Sequence, residues 1–451
     1  MEGEKDMKRF ILFNSPIFWN STKEQEEYLS PLGLGYIATY LEKAGVKVQL
    51  VDCVKEKRSV KDIIELIDIE RPDCIGINVF TQNYEIVKYI IENINIKCEC
   101  FIGGQAVKSL YSEILQWDTE NKLNIVIGEG EFITPALVLD YCVQKAEIRK
   151  GFKYVYRVNN DSEYFPKDIS NIFLDRKFLK NEVINNHYGE KEAAIITSRG
   201  CMFDCAFCGG ARSLNRDITI RTRTENSVIN EIEEILSVHS DVKSIRILDD
   251  LFLRNSNSID VANSIFKKFP QLSWRGMAHV LSFVQNLNKI EELRIGNCKE
   301  LFVGIESGSQ RIREKINKLG TSQQIETVAQ EILKNGIDLK GYFIYGFPGE
   351  NKQDFQETYE LAVRLKDISY KTKGKFRSSV FQFRPYHGTQ LYREIKQKNG
   401  IIHGCKFNQA ISQFQGRSQF NFEFGNYSEE PDAVLNEYII RTQKLTEERN
   451  D

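Results

Sequence analysis

The chain has 451 residues, enough for two or three domains with cores of full size. Its 61 basic and 63 acidic residues are interspersed, with a formal net charge of −2, which argues against a nucleic-acid-binding surface. The first residues lack the pattern of a secretory signal, and no apolar run approaches the roughly 20 residues of a membrane span.

Strand-like and helical segments alternate five times between residues 8 and 143. One of the helical segments carries Leu34, Ile37, Ala38 and Leu41 on a single face. Short apolar strands separated by amphipathic helices indicate a parallel, doubly wound, Rossmann-like sheet. We therefore assign residues 1–143 to a first domain, with strands in the runs KRFILFNSP, KVQLVDC, DCIGINVF, KCECFIGG and LNIVIGEGE.

Residues 144–190 break the alternation and indicate a linker, with room for a small hairpin, that packs across both domains. From residue 192 six further βα units follow, which indicate a partial (β/α)₆ TIM barrel over residues 191–396. Residues 397–451 form a C-terminal extension that is aromatic and Gln-rich and ends in a charged helix. The barrel helices are expected at about 227–239, 256–268, 286–296, 322–335, 353–366 and 389–397.

Three cysteines, Cys201, Cys205 and Cys208, follow the first barrel strand. Thiolates bind soft metals and iron–sulfur clusters, and this spacing lets one short loop hold three irons of a four-iron cube. A structural zinc site usually has four ligands in paired C-x₂-C units, and no second cysteine pair lies nearby, so zinc is the less favoured interpretation. Three buried structural thiols are a further alternative. The other cysteines have no regular spacing and do not indicate a disulfide scaffold. We expect a reducing compartment, the cytoplasm.

Other polar and glycine-rich runs fall at the carboxyl ends of the predicted barrel strands, where the chemistry of such barrels takes place. Glu306 could accept hydrogen bonds or pair with a cation, and Ser307 could donate or accept beside it. The pair Asp249-Asp250 could equally be a helix cap or a solvated turn. The runs are LDD at 248–250, GIESGS at 304–309, YGFPGE at 345–350 and RPY at 384–386.

The cysteine triplet, with Phe207 just before its last member, resembles the signature of the radical S-adenosylmethionine (SAM) superfamily. The runs GIESGS, INK, TSQQIETVAQEILKNGIDLKGYFIYGFPGE and FRPYHGTQLY resemble the barrel of its class B-type, methyltransferase-like members, which carry an N-terminal cobalamin-binding domain. The resemblance implies that the three cysteines hold a [4Fe-4S] cluster whose open iron chelates SAM. It also implies a 5′-deoxyadenosyl radical and an external electron donor of flavodoxin or ferredoxin type.

Within that resemblance, Glu306 and Ser307 lie near SAM, and Phe207 offers a ring face near its adenine. One departure concerns the third barrel strand, which commonly carries an arginine near its end in this group. This chain has Ala278-His279-Val280 there, so the expected contact with the carboxylate of SAM falls either to His279 or to a different residue. A satisfied core histidine is the alternative.

The first domain resembles the cobalamin-binding domain that is joined to radical SAM barrels. The resemblance is carried by PLGLGYIATYLEKAG, a strand ending in Asp52, and the runs VFTQNY, FIGGQAV and VIGEGE. The D-x-H-x-x-G motif is absent because Cys53-Val54-Lys55 follow Asp52, as in many members of the group. The resemblance implies that the corrin and its nucleotide tail are cradled by Thr81, Gly103, Gly104, Gly128, Glu129 and Gly130.

The leading hypothesis is a cobalamin-dependent radical SAM enzyme that abstracts hydrogen from a small-molecule substrate of natural-product type, for methyl transfer. A rearrangement, oxidation or coupling without methyl transfer, or cleavage of SAM at another bond, is the alternative. A cluster- or cobalamin-binding sensor would need an output module. A tRNA-methylthiolating enzyme would need a second set of cluster cysteines and a basic tail, and the sequence shows neither feature.

Overall fold

The computed structural model describes residues 7–16, 28–180, 182–398 and 426–446, and these contain two seven-stranded sheets and one two-stranded sheet. The first large sheet has the order β2-β1-β3-β4-β5-β7-β6, with parallel pairing everywhere except between β6 and β7. Its strands are β1 (Arg9–Asn14), β2 (Lys47–Asp52), β3 (Cys74–Asn78), β4 (Glu99–Gly103), β5 (Lys122–Ile127), β6 (Ile148–Lys150) and β7 (Lys153–Arg157).

Helices cover both faces of this sheet, which confirms the doubly wound arrangement expected for the first domain. The central strands are buried on both sides, as continuous apolar strands of parallel sheets are. The helices are α1 (Leu32–Lys43), α2 (Val60–Glu70), α3 (Tyr84–Glu92), α4 (Val107–Ile114) and α5 (Ile133–Val138).

The segment after residue 143 contributes the expected hairpin, β6–β7, and the hairpin extends the first sheet because β7 pairs in parallel with β5. The boundary at residue 143 stays a prediction. Further along, Leu174 and Leu179 pack against Gly35 of α1, where a Cβ would lie 2.8 Å from Leu174 Cδ1. Arg176 then binds Glu231 of the second domain at 2.5 Å. The segment therefore contacts both domains.

The second large sheet is an open, curved half-barrel with the order β16-β15-β14-β13-β12-β9-β8, in which only the β8–β9 pair is antiparallel. The six parallel strands are the six expected from the sequence. Its strands are β8 (Ile184–Asn185), β9 (Lys191–Ile195), β12 (Ser244–Ile247), β13 (Ser273–Ala278), β14 (Cys298–Glu306), β15 (Asp338–Tyr345) and β16 (Phe376–Gln382). The strands β10 (Ser198–Arg199) and β11 (Arg221–Thr222) form the separate two-stranded antiparallel sheet.

Helices on the outer face of the half-barrel pack against one large apolar core. Several begin with reciprocal caps; in the cap at Thr321, the threonine hydroxyl accepts from Gln324 N–H while the Gln324 side chain accepts from Thr321 N–H. The helices are α6 (Glu225–Val238), α7 (Ser256–Phe266), α8 (Lys289–Ile295), α9 (Gln310–Lys315), α10 (Ser322–Lys334), α11 (Lys352–Tyr370), α12 (Gln390–Lys398) and α13 (Asp432–Lys444).

The expected charged C-terminal helix is α13, which closes the outer side of β16. Leu435, Tyr438 and Ile439 are buried against the barrel core, and the hydroxyl of Tyr345 lies 2.8 Å from that of Thr442. The Gln-rich run that precedes this helix lies outside the described residues.

Candidate active site

The carboxyl edges of the two sheets face each other across a cavity of about 1650 Å³. A smaller cavity of about 390 Å³ adjoins it, since Arg246, Leu248, Tyr342 and Phe381 line both. Ligand pockets commonly measure about 300–1,000 Å³, so the larger cavity has room for more than one ligand. The sequence-predicted residues that line it are Gly103, Gly104, Gly128, Glu129 and Gly130, whereas Phe207 and Glu306 line the smaller cavity.

Asp249 fixes the start of the cysteine loop. Its carboxylate accepts hydrogen bonds from the N–H of Thr197 at 2.6 Å, from the Thr197 hydroxyl at 2.5 Å and from the Ser198 hydroxyl at 2.6 Å. Farther along the loop, Ala206 N–H donates to Ile316 O at 2.9 Å. Asp249 is therefore neither a helix cap nor a solvated turn, and its neighbour Asp250 lines the larger cavity.

The three predicted cluster ligands are free thiols, with Cys205 buried and Cys201 and Cys208 half-buried. Burial raises the pKa of all three, that of Cys208 to about 12. The thiols are therefore neutral at pH 7, and a metal that binds them must displace their protons.

Among the described residues, no three histidine, cysteine or carboxylate side chains converge on a single metal ion. This arrangement does not fit a mononuclear zinc site. A four-iron cube instead binds each thiolate through a different iron, and the three thiols on one loop fit that donor set.

Glu306 lies in a strained backbone conformation at the end of β14. Its φ of 65° is in the left-handed region, and the pairing of β14 with β15 shifts register between Gly304 and Glu306. Such conformations cost about 1–3 kcal/mol and persist mainly at functional sites. The bulge directs the carboxylate into the smaller cavity, where it pairs with Lys318 at 3.3 Å. Gly304 makes room, because a Cβ there would clash with the Glu306 carboxylate.

The hydroxyl of Ser307 points away from both cavities. It lies 3.0 Å from the Thr358 hydroxyl, accepts from Ser309 N–H at 3.2 Å, and belongs to a residue that is 0% exposed. These contacts stabilise the bulge at Glu306, and they engage the Ser307 hydroxyl within the protein instead of presenting it to a ligand. The expected contact between Ser307 and SAM stays a prediction that this geometry does not favour.

His279 lies beside the cysteine loop, with its ring stacked on Phe203 at a centroid distance of 3.9 Å. Its Nδ1 accepts from Leu281 N–H at 3.2 Å, so the proton of the neutral ring is on Nε2. Burial, together with the charges of Lys318 and Arg313, lowers the pKa to about 3. Within the part of the chain that the structure describes, the buried Nε2 has no hydrogen-bond partner. A buried donor of this kind fits a ligand bound between the loop and β14.

The glycine loops of the first domain form the opposite wall of the larger cavity. Gly104 and Gly128 both have φ of 106°, and a Cβ on Gly104 would lie 2.6 Å from Val79 O. A Cβ on Gly103 would meet only Val126 O, at 3.9 Å, so backbone forms the surface there. A large cavity walled by bare backbone fits a bulky cofactor such as a corrin.

Thr81 lines neither cavity. Its hydroxyl accepts from His387 N–H at 3.2 Å and lies 3.0 Å from His387 Nδ1, so it joins the first domain to the loop after β16. Its neighbour Phe80 lines the larger cavity instead. The expected contact between Thr81 and the corrin therefore stays a prediction.

Several site residues were missed by the sequence analysis. Arg199 precedes the cysteine loop and binds Glu129 at 2.6 Å and Glu131 at 2.7 Å across the domain boundary. Lys318 belongs to the INK run, which resembles the radical SAM barrel, but the residue itself was not assigned to the site. The strands β12, β13, β15 and β16 each carry a single basic residue, which is uncommon in a buried strand and could have drawn attention to the set Arg246, Arg275, Lys340 and Arg377 that lines the larger cavity.

Comparison with protein families identifies both domains. Residues 195–362 match the radical SAM superfamily, and residues 23–138 match the B12-binding domain. The chain is 29% identical to an uncharacterized methyltransferase, PH0819, of Pyrococcus horikoshii, over 82% of this chain and 80% of that protein. It is 22% identical to cytidylyl-2-hydroxyethylphosphonate methyltransferase of Streptomyces wedmorensis, over 81% of this chain and 77% of that protein.

Not all relatives are named as methyltransferases. The chain is 25% identical to the anaerobic magnesium-protoporphyrin IX monomethyl ester cyclase of Rubrivivax gelatinosus, over 88% of this chain and 72% of that enzyme. It is also 24% identical to a tRNA-2-methylthio-N(6)-dimethylallyladenosine synthase of Buchnera aphidicola, over 75% of this chain and 81% of that enzyme.

Solved structures of cobalamin-dependent radical SAM enzymes share the fold, OxsB and TsrM among them. OxsB, a cobalamin-dependent SAM radical enzyme with aqua-cobalamin and SAM bound, superposes with a TM-score of 0.65 at 17% identity, covering 96% of this chain. The match spans 66% of the OxsB chain. The radical SAM methyltransferase TsrM of Kitasatospora setae, with cobalamin and a [4Fe-4S] cluster bound, gives 0.63 at 16% identity, covering 87% of this chain and 75% of TsrM.

The expected pairing of a Rossmann-like domain with a partial barrel is thus confirmed. No helix in the described residues is long and apolar enough to cross a membrane. Radical SAM enzymes need a reductant, and the cofactors that the two domains imply are a [4Fe-4S] cluster, SAM and cobalamin. The chain therefore belongs to the cobalamin-dependent radical SAM enzymes, the family whose related proteins described above include methyltransferases.

Proposed function

We propose that the protein transfers a methyl group to an unactivated position of a small-molecule substrate. The observation that carries the proposal is the shared cavity, which the glycine loops of the first domain and the start of the cysteine loop line from opposite sides. Arg199 and Gly200 stand immediately before Cys201 on the barrel wall, facing Gly104 and Gly128. A cobalamin on one wall and a radical source on the other could therefore reach the same substrate.

The cysteine loop and its neighbours would bind the cluster and SAM. Cys201, Cys205 and Cys208 would ligate the cluster. His279 would donate its Nε2–H to the carboxylate of SAM, and Glu306 would accept hydrogen bonds from the ribose hydroxyls. When bound, the cluster supplies the electron that cleaves SAM, and cobalamin carries the methyl group.

Other residues would shape the surroundings of the cofactors. Phe207 borders the smaller cavity and packs edge-on against Phe347 at 5.6 Å, which would hold its ring in place beside the adenine. Lys318 pairs with the Glu306 carboxylate at 3.3 Å and so offsets its charge. Gly103, Gly104, Gly128, Glu129 and Gly130 would border cobalamin.

Reaction without methyl transfer is the second candidate, and one observation favours it. The cyclase of Rubrivivax gelatinosus matches this chain across both domains, yet its name describes ring formation. The methylthiolating alternative has less support from the structure. Cys53, Cys74 and Cys100 are at most 1% exposed, inside the core of the first domain, where they cannot hold a second cluster at the cavity.

The test is anaerobic reconstitution with iron and sulfide, followed by incubation with SAM, a reductant and hydroxocobalamin, because reduced cobalamin could accept the methyl group of SAM and so release S-adenosylhomocysteine. We expect wild-type protein to show a cluster spectrum, retain cobalamin and form S-adenosylhomocysteine alongside 5′-deoxyadenosine. Cys205→Ala should lose the cluster and keep cobalamin, whereas the matched control Cys142→Ala, outside the loop, should keep both. Deoxyadenosine without S-adenosylhomocysteine would favour the second candidate.

The electron donor and the compartment are parts of the same proposal. A small acidic protein of flavodoxin or ferredoxin type would reduce the cluster, and the enzyme would act in the cytoplasm. The cysteines of the described residues are free thiols, as a reducing compartment would keep them. Turnover with a purified flavodoxin system, compared with dithionite, would test the donor.

A further inference from the structure

Arg313, on α9, is a buried cation whose hydrogen bonds all go to neutral groups. The residue is 1% exposed. Its guanidinium donates to the carbonyl oxygens of Ile305, Ser307, Leu319 and Gly320, at 2.6 to 3.1 Å. Within the part of the chain that the structure describes, no carboxylate forms a salt bridge with it. A buried charge without an ionic partner costs stability, and such costs are typical of functional sites.

Through these bonds Arg313 holds both members of an ion pair in place. Two of the four carbonyl groups flank Glu306 on β14, and the other two belong to the residues that follow Lys318. The Arg313 carbonyl in turn accepts from Lys318 N–H at 2.8 Å. Lys318 Nζ lies 3.3 Å from Glu306 Oε1, and each of the two side chains is 9% exposed. The ammonium is therefore held inside the protein by its own backbone and by Glu306.

The two residues before Lys318 attach this segment to the cysteine loop. The Ile316 carbonyl accepts from the N–H of the residue after Cys205 at 2.9 Å. The Asn317 side-chain amide donates to the carbonyl of the residue before Cys205 at 2.8 Å. The segment that carries Lys318 is thus bonded to the loop on both sides of its central cysteine, so the fold fixes this ammonium beside the loop.

Fixed charges of both signs act on the predicted cluster ligands. Burial raises the pKa of the Cys205 thiol, and the positive charge of Lys318 opposes that rise. Burial likewise raises the pKa of Cys201, and Lys318 again acts in the opposite direction. The carboxylates of Glu306 and Asp250 act in the same direction as burial. A charge that acts on a thiol in this way also changes the energy of an electron on a cluster that the thiolate binds.

We propose that Lys318, positioned by Arg313, raises the reduction potential of the cluster that the three cysteines bind. The inference rests on the proposed function for this assignment of the cluster ligands. The bound cluster takes up one electron from the external reductant, no bond forms or breaks, and its negative charge increases by one. A fixed cation nearby stabilises the more negative state, and burial keeps salt from screening it. Lys318 thus makes the cluster easier to reduce, and Arg313 is a positioning residue that acts through it.

The experiment is an anaerobic redox titration of holoenzyme that carries cluster and cobalamin, without SAM. The electron paramagnetic resonance signal of the reduced cluster reports the potential. We expect Lys318→Met to lower the equilibrium constant for reduction about tenfold, or about 59 mV for one electron, because Glu306 is left uncompensated. Lys318→Arg retains the charge and should restore most of the potential. Glu306→Gln should shift the potential upward.

The matched control is Lys315→Met, which removes the same charge from an exposed position of α9. Solvent screens a charge at that position, so the potential should stay at the wild-type value. An equal shift in Lys315→Met and Lys318→Met would overturn the inference, since the effect would then come from net charge.

Equal potentials of wild type and Lys318→Met would also overturn the inference, as would shifts of Lys318→Met and Glu306→Gln in the same direction. If Lys318→Met takes up no cluster, Lys318→Gln, which keeps a polar group beside Glu306, gives the same test. The titration needs neither substrate nor turnover. An enzyme that shows the expected shifts but transfers no methyl group would therefore refute only the proposed function.

Discussion

The guanidinium of Arg199 joins the two walls of the cavity, because it donates to Glu129 at 2.6 Å. Arg199 stands two positions before the first cluster cysteine, whereas Glu129 belongs to a glycine loop of the B12-binding domain. The same guanidinium also binds Glu131 at 2.7 Å and lies over the ring of Tyr36 at 5.3 Å. Ion pairs between the protein's own side chains therefore join the cysteine loop to the expected cobalamin loop.

Removing that guanidinium should destabilise the contact between the domains. Arg199→Met leaves Glu131, which is buried, without its cation, so we expect the free energy of unfolding to fall by about 2 kcal/mol. The double variant Arg199→Met/Glu131→Gln should recover part of this loss, because the uncompensated charge is removed. Urea denaturation of the apoprotein measures both effects. A loss below about 0.5 kcal/mol would contradict a role for this contact in joining the domains.

The strain at Glu306 leads to a prediction that separates backbone from side chain. Glu306→Gly and Glu306→Ala both remove the carboxylate, but only glycine adopts a φ of 65° at little cost. We therefore expect Glu306→Gly to be more stable than Glu306→Ala by about 1 kcal/mol, while both bind SAM at least about tenfold more weakly than wild type. Thermal unfolding and equilibrium binding of SAM provide the two measurements.

Equal stabilities of the glycine and alanine variants would show that the backbone at 306 relaxes without cost. Unchanged SAM affinity in both variants would instead remove Glu306 from the proposed site. Lys318→Met serves as the matched control, because it disrupts the same ion pair from the other side and leaves the backbone at 306 unchanged.

Much of the fold follows from patterns that act over short distances. The alternation of apolar strands and amphipathic helices reports burial directly, so the six barrel strands and most helices were predicted within a few residues. The sequence analysis did not predict that β7 belongs to the first sheet. Its place there depends on parallel pairing with β5, which lies about 30 residues earlier. Pairing over such a separation leaves no local pattern in the sequence.

Side-chain direction was the less predictable part of the site. The bulge at Glu306 turns that residue into the smaller cavity and its neighbour Ser307 toward Thr358, and a regular strand would not have done so. The sequence analysis assigned no direction to the basic residues of β12, β13, β15 and β16, because alternation along a strand does not say which face is the inner one. In a curved half-barrel the same alternation directs them into the cavity, and only the closure of the sheet reveals this.

The buried imidazole of His279 should make stability depend on pH. Its pKa in the folded protein is about 3, below the usual value of 6.5, so the unfolded chain binds a proton that the folded protein excludes. Stability should therefore fall as the pH drops below about 6.5, by about 1.4 kcal/mol per pH unit from this residue alone. His279→Gln should lose this contribution, which urea denaturation at several pH values would measure. Parallel pH profiles of wild type and variant would contradict the assignment.

Glu350, in the turn after β15, should lower stability as the pH rises, whereas His279 lowers it as the pH falls. Its carboxyl group is 0% exposed and accepts from Gly346 N–H at 2.7 Å and Phe347 N–H at 2.9 Å, and burial raises its pKa to about 8. The folded protein therefore holds a proton that the unfolded chain releases above a pKa of about 4.5, so stability is lost as the pH rises from about 4.5 to 8.

Glu350→Gln retains an oxygen for the two backbone donors and has no charge to bury. We therefore expect the variant to exceed wild type in free energy of unfolding by about 2 kcal/mol at pH 7.5, and to match it near pH 4. Glu360→Gln, on the exposed face of α11, should show no such pH-dependent gain. A variant less stable than wild type at pH 7.5 would mean that Glu350 is ionised in the folded protein and that a cation compensates its charge.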